Sequence, residues 1–325
     1  MRANLSIFSF KSGPRKFLLR LTFFIFLVII VDFLFGKMIK TLYERAPHDV
    51  DWTKVNWAIS EPYDIMVFGS SRAFRHYVPS IISEKLGKSV FNAGQNGQYL
   101  LYAYAVEQLV LDKHPPKFVI LDVLPSYIVK AENPNREFER LDALAPFFHN
   151  KKIQALLTRN NFYERVKYVS SLYRFNSKFL SLLDNFITDN PGYDNGFQRV
   201  GPVEFHNKNP FITDTLQKIA YDSVKIHYLE QFITTAKSCS THVVFSMSPA
   251  LYELSPENLE LIKNYERIAQ QYDIPFFDFT QHDSLKKKEY FMDIIHMNEP
   301  GARNFSKVFS KKMKECFVSS PTTHL

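Results

Sequence analysis

The stretch Asp64–Arg72, DIMVFGSSR, is a short apolar run that ends in Gly-Ser-Ser. A run of that length bounded by turn residues reads as a buried strand, with the serines opening the next helix. The pattern returns at Ser89–Asn92 (SVFN), Lys117–Val123 (KFVILDV), His242–Met247 (HVVFSM) and Pro275–Phe279 (PFFDF). Helix-length segments fall between the runs, at Val78–Leu86, Gln98–Lys113, Thr215–Lys237 and Pro256–Tyr272, and a last one follows Pro300 to Cys316. Strands alternating with helices predict right-handed crossovers and a parallel sheet covered on both faces, an α/β domain. In such sheets ligands bind beyond the carboxyl ends of the strands, so residues just after each run are the first suspects.

One stretch breaks the rhythm. Roughly 90 residues, Tyr127 to Asp214, separate the third run from the next helix, far beyond ordinary connections. Lys151–Arg159 and Asn161–Ile187 are predicted to be helical, and Asp189–Pro210 reads as loop. The insertion is either a cap or partner surface near the site or a helical ornament on the sheet's flank.

Ahead of the domain, Phe17–Gly36 (FLLRLTFFIFLVIIVDFLFG) shows almost no polar face, with its charged residues Arg20 and Asp32 near the two ends. About 20 residues rising about 1.5 Å each reach about 30 Å, the thickness of a bilayer's hydrocarbon core. Basic residues before the segment favour a cytoplasmic N-terminus and an outward domain, and no A-x-A cleavage site follows. The expected layout is a cytoplasmic N-terminus 1–16, a signal anchor 17–36, a stalk 37–62, a domain 63–318 with its insertion at 127–214, and a tail 319–325. A core helix of a soluble intracellular protein is the rival reading of the apolar segment.

The net charge of +7 is concentrated in the N-terminus. Residues 1–45 hold eight basic and two acidic side chains, leaving the rest near neutral, so the field that nucleic acid requires is absent. Cys239 and Cys316 match no metal-ligand spacing, and neither a metal nor a cofactor is expected.

Three segments carry candidate chemistry. Ser71 follows the first run, where free helix amides can polarise a hydroxyl and receive an oxyanion; an ordinary helix cap is the alternative. In Asp293-Ile294-Ile295-His296, an imidazole can serve as base and the carboxylate three residues earlier can orient it. In Asn92-Ala93-Gly94-Gln95-Asn96-Gly97, a glycine amide can approach a substrate oxygen. Arg72 either binds an acidic group on the substrate or pairs with a neighbouring carboxylate. His76 and His242 are discounted as bases because of their positions.

With Ser, Gly and Asp-x-x-His blocks in this order, the chain resembles the SGNH (GDSL-like) hydrolases from about Asp64 to Ala302. The resemblance implies a flavodoxin-like three-layer sandwich with Ser71 as nucleophile, Asp293 and His296 as acid and base, and Gly97 as oxyanion donor, or Gly94 if the register slips. The family's third block supplies an Asn, whereas Asp122-Val123-Leu124-Pro125-Ser126 has none, so Ser126 or Asn96 stands in as the further donor. The Gly-Ser-Ser-Arg form is similar to that of membrane-anchored relatives that acylate envelope polymers. The resemblance thus implies an esterase or acyltransferase working on acyl esters of a surface polysaccharide, with a membrane acyl-donor protein as a partner. A catalytically silent envelope protein that binds glycan or an assembly partner is the alternative.

Overall fold

Each of the five apolar runs forms a strand of one parallel sheet, because each is flanked by residues that end a strand and carries side chains that suit burial on both faces. The computed structural model describes residues 13–46, 53–159, 162–175, 193–199, 201, 205, 220–252 and 254–319. The strands are β1 (Ile65–Phe68), β2 (Val90–Asn92) and β3 (Phe118–Asp122), then a small hairpin of β4 (Tyr193–Asp194) and β5 (Phe197–Gln198), then β6 (His242–Met247) and β7 (Phe276–Asp278). The sheet order is β2-β1-β3-β6-β7, with every pair parallel. This is the flavodoxin-like doubly wound order, whose direction switches between β1 and β3 and opens a crevice at their carboxyl ends.

The two-residue period of the strands divides the core. Met66, Phe68, Val119, Leu121 and Phe245 face one layer with Leu101, Val106 and Phe232. Ile65, Val67, Ile120 and Val244 face the other with Ile82, Phe305 and Phe309.

Within the expected stalk 37–62, residues 37–46 and 53–62 are described and are largely helical. The N-terminal helix runs unbroken from Pro14 to Arg45, and its Gly36, Ile39 and Tyr43 are buried. These residues fall at helical spacing on one face, and Tyr43 packs against Phe147 and Phe175 at ring separations of 6.2 and 5.6 Å. A second helix, Lys54–Ser60, buries Val55 and Ala58 in the layer that holds Met66. The apolar helix is therefore joined to the domain by side-chain packing. None of its 18-residue apolar window is buried, and it is long and apolar enough to cross a membrane.

The described part of the insertion extends the first layer sideways. Leu141, Leu144, Phe147, Ile153 and Leu156 join it from the 3-10 turn Phe138–Phe147 and the helix Lys151–Leu157. Two short helices follow, Phe162–Lys167 and Ser171–Phe175; the rest of the helix expected to reach Ile187 lies outside the described residues. Within the expected loop at 189–210 the structure has the β4–β5 hairpin, turned by Asn195 (φ 42°) and Gly196 (φ 86°). The Asn195 carbonyl accepts the amide of Asn92 at 2.9 Å, so the hairpin caps the open edge at β2.

Candidate active site

The turn after β1 is sharp because Gly69 has φ +147°, and a Cβ there would lie 2.8 Å from the Ala73 Cβ and 3.1 Å from the Asp122 carbonyl. Ser70 then caps the helix Ser71–His76, accepting the Arg72 amide, and Ser71 takes the first helical position. Its own amide donates to no group among the described residues, as expected of a first-turn N–H.

At the far end of the chain, the turn Asp293–His296 leads into the helix Glu299–Ser319. Ser71 Oγ lies 2.7 Å from His296 Nε2, and His296 Nδ1 lies 2.8 Å from Asp293 Oδ2. The other Asp293 oxygen accepts the amides of Ile295 and His296, each at 2.8 Å. With Nδ1–H donating to the carboxylate, Nε2 is left as the acceptor that faces the serine. Burial acts to raise the Asp293 carboxyl, but the His296 ring, its charge and the two amides outweigh it and hold the group below the ordinary carboxylate range. The His296 and Asp293 side chains are each 18% exposed, so the pair opens to solvent from a partly shielded position.

The loop after β2 is pressed onto this turn. The Gln95 amide donates to the Gly69 carbonyl at 3.1 Å. A Cβ on Gly94 would come within 2.6 Å of the Phe74 nitrogen. Gly94 is excluded as an oxyanion donor, since its amide is spent on Asn92 Oδ1 at 3.0 Å and its carbonyl accepts Lys54 Nζ at 2.6 Å. Gly97 is exposed with φ +67°; Arg140 Nη1 holds its carbonyl at 2.8 Å, while its amide donates to no described residue. Asn96 is half-buried beside it, and Ser126 is exposed on the turn after β3. Neither Asn96 nor Ser126 makes a side-chain hydrogen bond among the described residues, so both hold open donors near the strand ends.

Arg72 does not reach the substrate side. It is 1% exposed, and its Nε donates to Ser248 Oγ at 3.1 Å while Nη2 donates to the Ser248 carbonyl; Asp122 Oδ2 lies 3.8 Å from Nε. The second of the two fates open to it, pairing with a carboxylate, is the one the structure shows. Burial pulls Arg72 inward because Asp122, the polar residue ending β3, would otherwise lack a countercharge.

Ser248 and His76 were not legible as site residues. Ser248, just after β6, donates from Oγ to Asp122 Oδ2 at 3.1 Å and from its amide to Asp122 Oδ1 at 2.8 Å. His76, fully buried at the end of the serine's helix, lies with Nδ1 2.9 Å from Ser248 Oγ. Its Nε2 accepts the amide of Met297 at 3.0 Å, so the ring is neutral with its proton on Nδ1. Burial, reinforced by the nearby Arg72 charge, pushes the His76 ring well below its ordinary range. Burial likewise raises the Asp122 carboxyl, partly offset by Arg72 and the Ser248 and Tyr77 donors. A polar column thus runs from β3 through Ser248 and His76 to the residue after His296. Its only sequence signal was the pair of polar positions, Asp122 and Ser248, closing two apolar strands.

Among the described residues no cluster of His, Cys, Asp or Glu could hold a metal ion. Cys239 and Cys316 are free thiols.

No family model matches the chain, and no curated protein matches it in sequence. Among solved structures it is similar to one described as a lipolytic protein of the G-D-S-L family from Desulfitobacterium hafniense, at 10% identity over 76% of this chain and 98% of that one, with a TM-score of 0.40.

Proposed function

We propose that the protein is a membrane-anchored serine acyl hydrolase or O-acyltransferase that acts on ester groups, chiefly O-acetyl, of a cell-envelope polysaccharide. The observation that carries this reading is the unbroken Ser71–His296–Asp293 hydrogen-bond chain, in which Ser71 is half-buried and the His296 and Asp293 side chains are each 18% exposed. Ser71 Oγ attacks the ester carbonyl while its proton passes to His296 Nε2, and Asp293 steadies the imidazolium. The developing oxyanion takes the amides of Ser71 and Gly97, and Asn96 or Ser126 supplies a further donor. Collapse breaks the ester C–O bond, and the alcohol leaves with the proton from His296. Water or a sugar hydroxyl then attacks the acyl-serine, giving its proton to His296; the bond between Ser71 Oγ and the acyl carbon breaks, His296 returns the proton to Ser71 Oγ, and the acyl group departs as the acid or a new ester.

In this reading the helix Pro14–Arg45 spans the membrane with the N-terminus in the cytoplasm, keeping the site beside the envelope polymer. A membrane protein that delivers acyl groups is the partner a transferase would need. The alternative, a catalytically silent glycan-binding protein, draws on the third block, where Asp122 is committed to Arg72 and Ser248. Full-length protein and Ser71→Ala, incubated with an O-acetylated polysaccharide, separate the two. Acetate release or transfer by the wild type alone supports the enzyme; polysaccharide binding by both without any acetate change supports the binder.

A further inference from the structure

Asp32 lies within the apolar stretch of the N-terminal helix, where a carboxylate is costly unless it is partnered. Its partners come from the insertion. Asp32 accepts the amides of Ser171 and Leu172 at 2.8 and 3.1 Å and the hydroxyl of Ser170, thereby capping the helix Ser171–Phe175 from outside. One turn on, Gly36 leaves the space that Ser171 fills; a Cβ on Gly36 would lie 2.1 Å from the Ser171 Cβ. The insertion is therefore fixed at the level of Asp32.

That level is below the polar end of the span. Lys37 is the first basic residue after the apolar stretch, and five residues at about 1.5 Å each place Asp32 about 7 Å nearer the membrane centre. Elements lying in the headgroup region bury about 5–10 Å into the acyl boundary. Among the described residues, the same segment holds the domain's most exposed large apolar side chains, Tyr163 at 73%, Val166 at 64% and Val169 at 73%. Val169 directly precedes the Ser170–Leu172 stretch that Asp32 binds, none of the N-terminal helix's apolar window is buried, and Arg165 and Lys167, the latter paired with Glu164, are exposed in the same segment.

We propose that the segment Phe162–Phe175 lies in the headgroup region of the same bilayer that holds Pro14–Arg45, with Tyr163, Val166 and Val169 against acyl chains and Arg165 and Lys167 among anionic headgroups. The insertion is then a second membrane contact that fixes the domain's tilt, and the ligand of this surface is the lipid bilayer itself. The inference rests on reading the N-terminal helix as a span.

The test uses the full chain in a Cys239→Ser, Cys316→Ser background, reconstituted at one copy per nanodisc of phosphatidylethanolamine and phosphatidylglycerol. An environment-sensitive fluorophore is placed at Val166→Cys or Val169→Cys, with Arg267→Cys as an aqueous control. The expected result is blue-shifted emission at 166 and 169, quenched by spin-labelled lipid and protected from iodide, while 267 behaves oppositely. Water-like emission at 166 and 169 in protein that stays with the disc would overturn the inference and leave the anchor standing. Blue-shifted emission that lipid-borne quenchers do not reach would equally overturn it, since a protein surface would then cover the patch. Failure of the chain to remain with lipid would remove the span and this inference together. Fluorophosphonate reactivity of Ser71 in the same sample reports on the enzyme separately.

Discussion

His76 Nε2 accepts the amide of Met297 at 3.0 Å, so the helix that begins with Ser71 ends by holding the residue after His296. The proposed nucleophile and base are thereby registered by the protein interior as well as by their own hydrogen bond. Ser306 Oγ adds a second tie, accepting the Val78 amide at 2.8 Å and donating to the His76 carbonyl at 3.2 Å.

Loss of that registration is expected to slow the chemistry without removing any reacting group. His76→Ala should lower the rate of Ser71 acylation by about 10²-fold, the scale of a misplacement near 1 Å. His76→Gln, which retains an acceptor, should recover part of it. A fall in kcat with KM nearly constant, in protein of normal circular dichroism, checks the prediction. A purely structural role would change stability and leave kcat alone.

Acid sensitivity follows from the same ring. Burial holds the folded-state pKa of His76 below its unfolded value of about 6.5. The folded state therefore binds fewer protons, and the stability tied to this group is complete above about pH 6.5 and declines as pH falls below it. The slope expected from one such group is about 1.4 kcal/mol per pH unit. The difference in urea-denaturation stability between wild type and His76→Gln should change with that slope between pH 7 and 5, and a pH-independent difference would contradict it.

The five strands were legible because each is a short apolar run, most of them followed closely by Gly, Ser or Pro, and the joint placement of Ser71, Asp293 and His296 at a strand end and a helix entry followed from topology. The polar column was not legible. Arg72 and Ser248 lie 176 residues apart, and a buried arginine has no local signature. Lys54 falls in the segment expected as a stalk, yet it is buried and holds the Gly94 carbonyl at 2.6 Å. The Asn195-Gly196 turn did carry a hairpin signal, muted by the polar residues around it. Gly94 and Gly97 could not be told apart by spacing alone; the Asn92 side chain, which consumes one amide and not the other, separates them.

Substituting these two glycines should destabilise the fold unequally, Gly94 more than Gly97. Gly94→Ala would drive a methyl into the Phe74 nitrogen and the Ala73 carbonyl carbon, at 2.6 and 2.9 Å, and should cost about 1–3 kcal/mol or more. At Gly97 the nearest atom is the flexible Arg140 Nη1 at 3.4 Å, so the cost reduces to the positive φ, about 1–2 kcal/mol. Thermal melting of both variants checks the order.

Removing the orienting carboxylate should leave the fold intact and the serine slow. Asp293→Asn would favour the wrong His296 tautomer and lower acylation by about 10⁴-fold, as in other triads. Stopped-flow acylation by an activated acetate ester at neutral pH reads the effect.

The central claim is that Ser71 is a nucleophile driven by His296, 225 residues away and 2.7 Å distant. Intact-protein mass spectrometry of the full chain after treatment with a fluorophosphonate measures it directly. The account predicts one adduct, mapped to Ser71, that is lost in Ser71→Ala and in His296→Ala. A folded wild-type chain that gains no adduct, or one that is labelled equally well without His296, would contradict it.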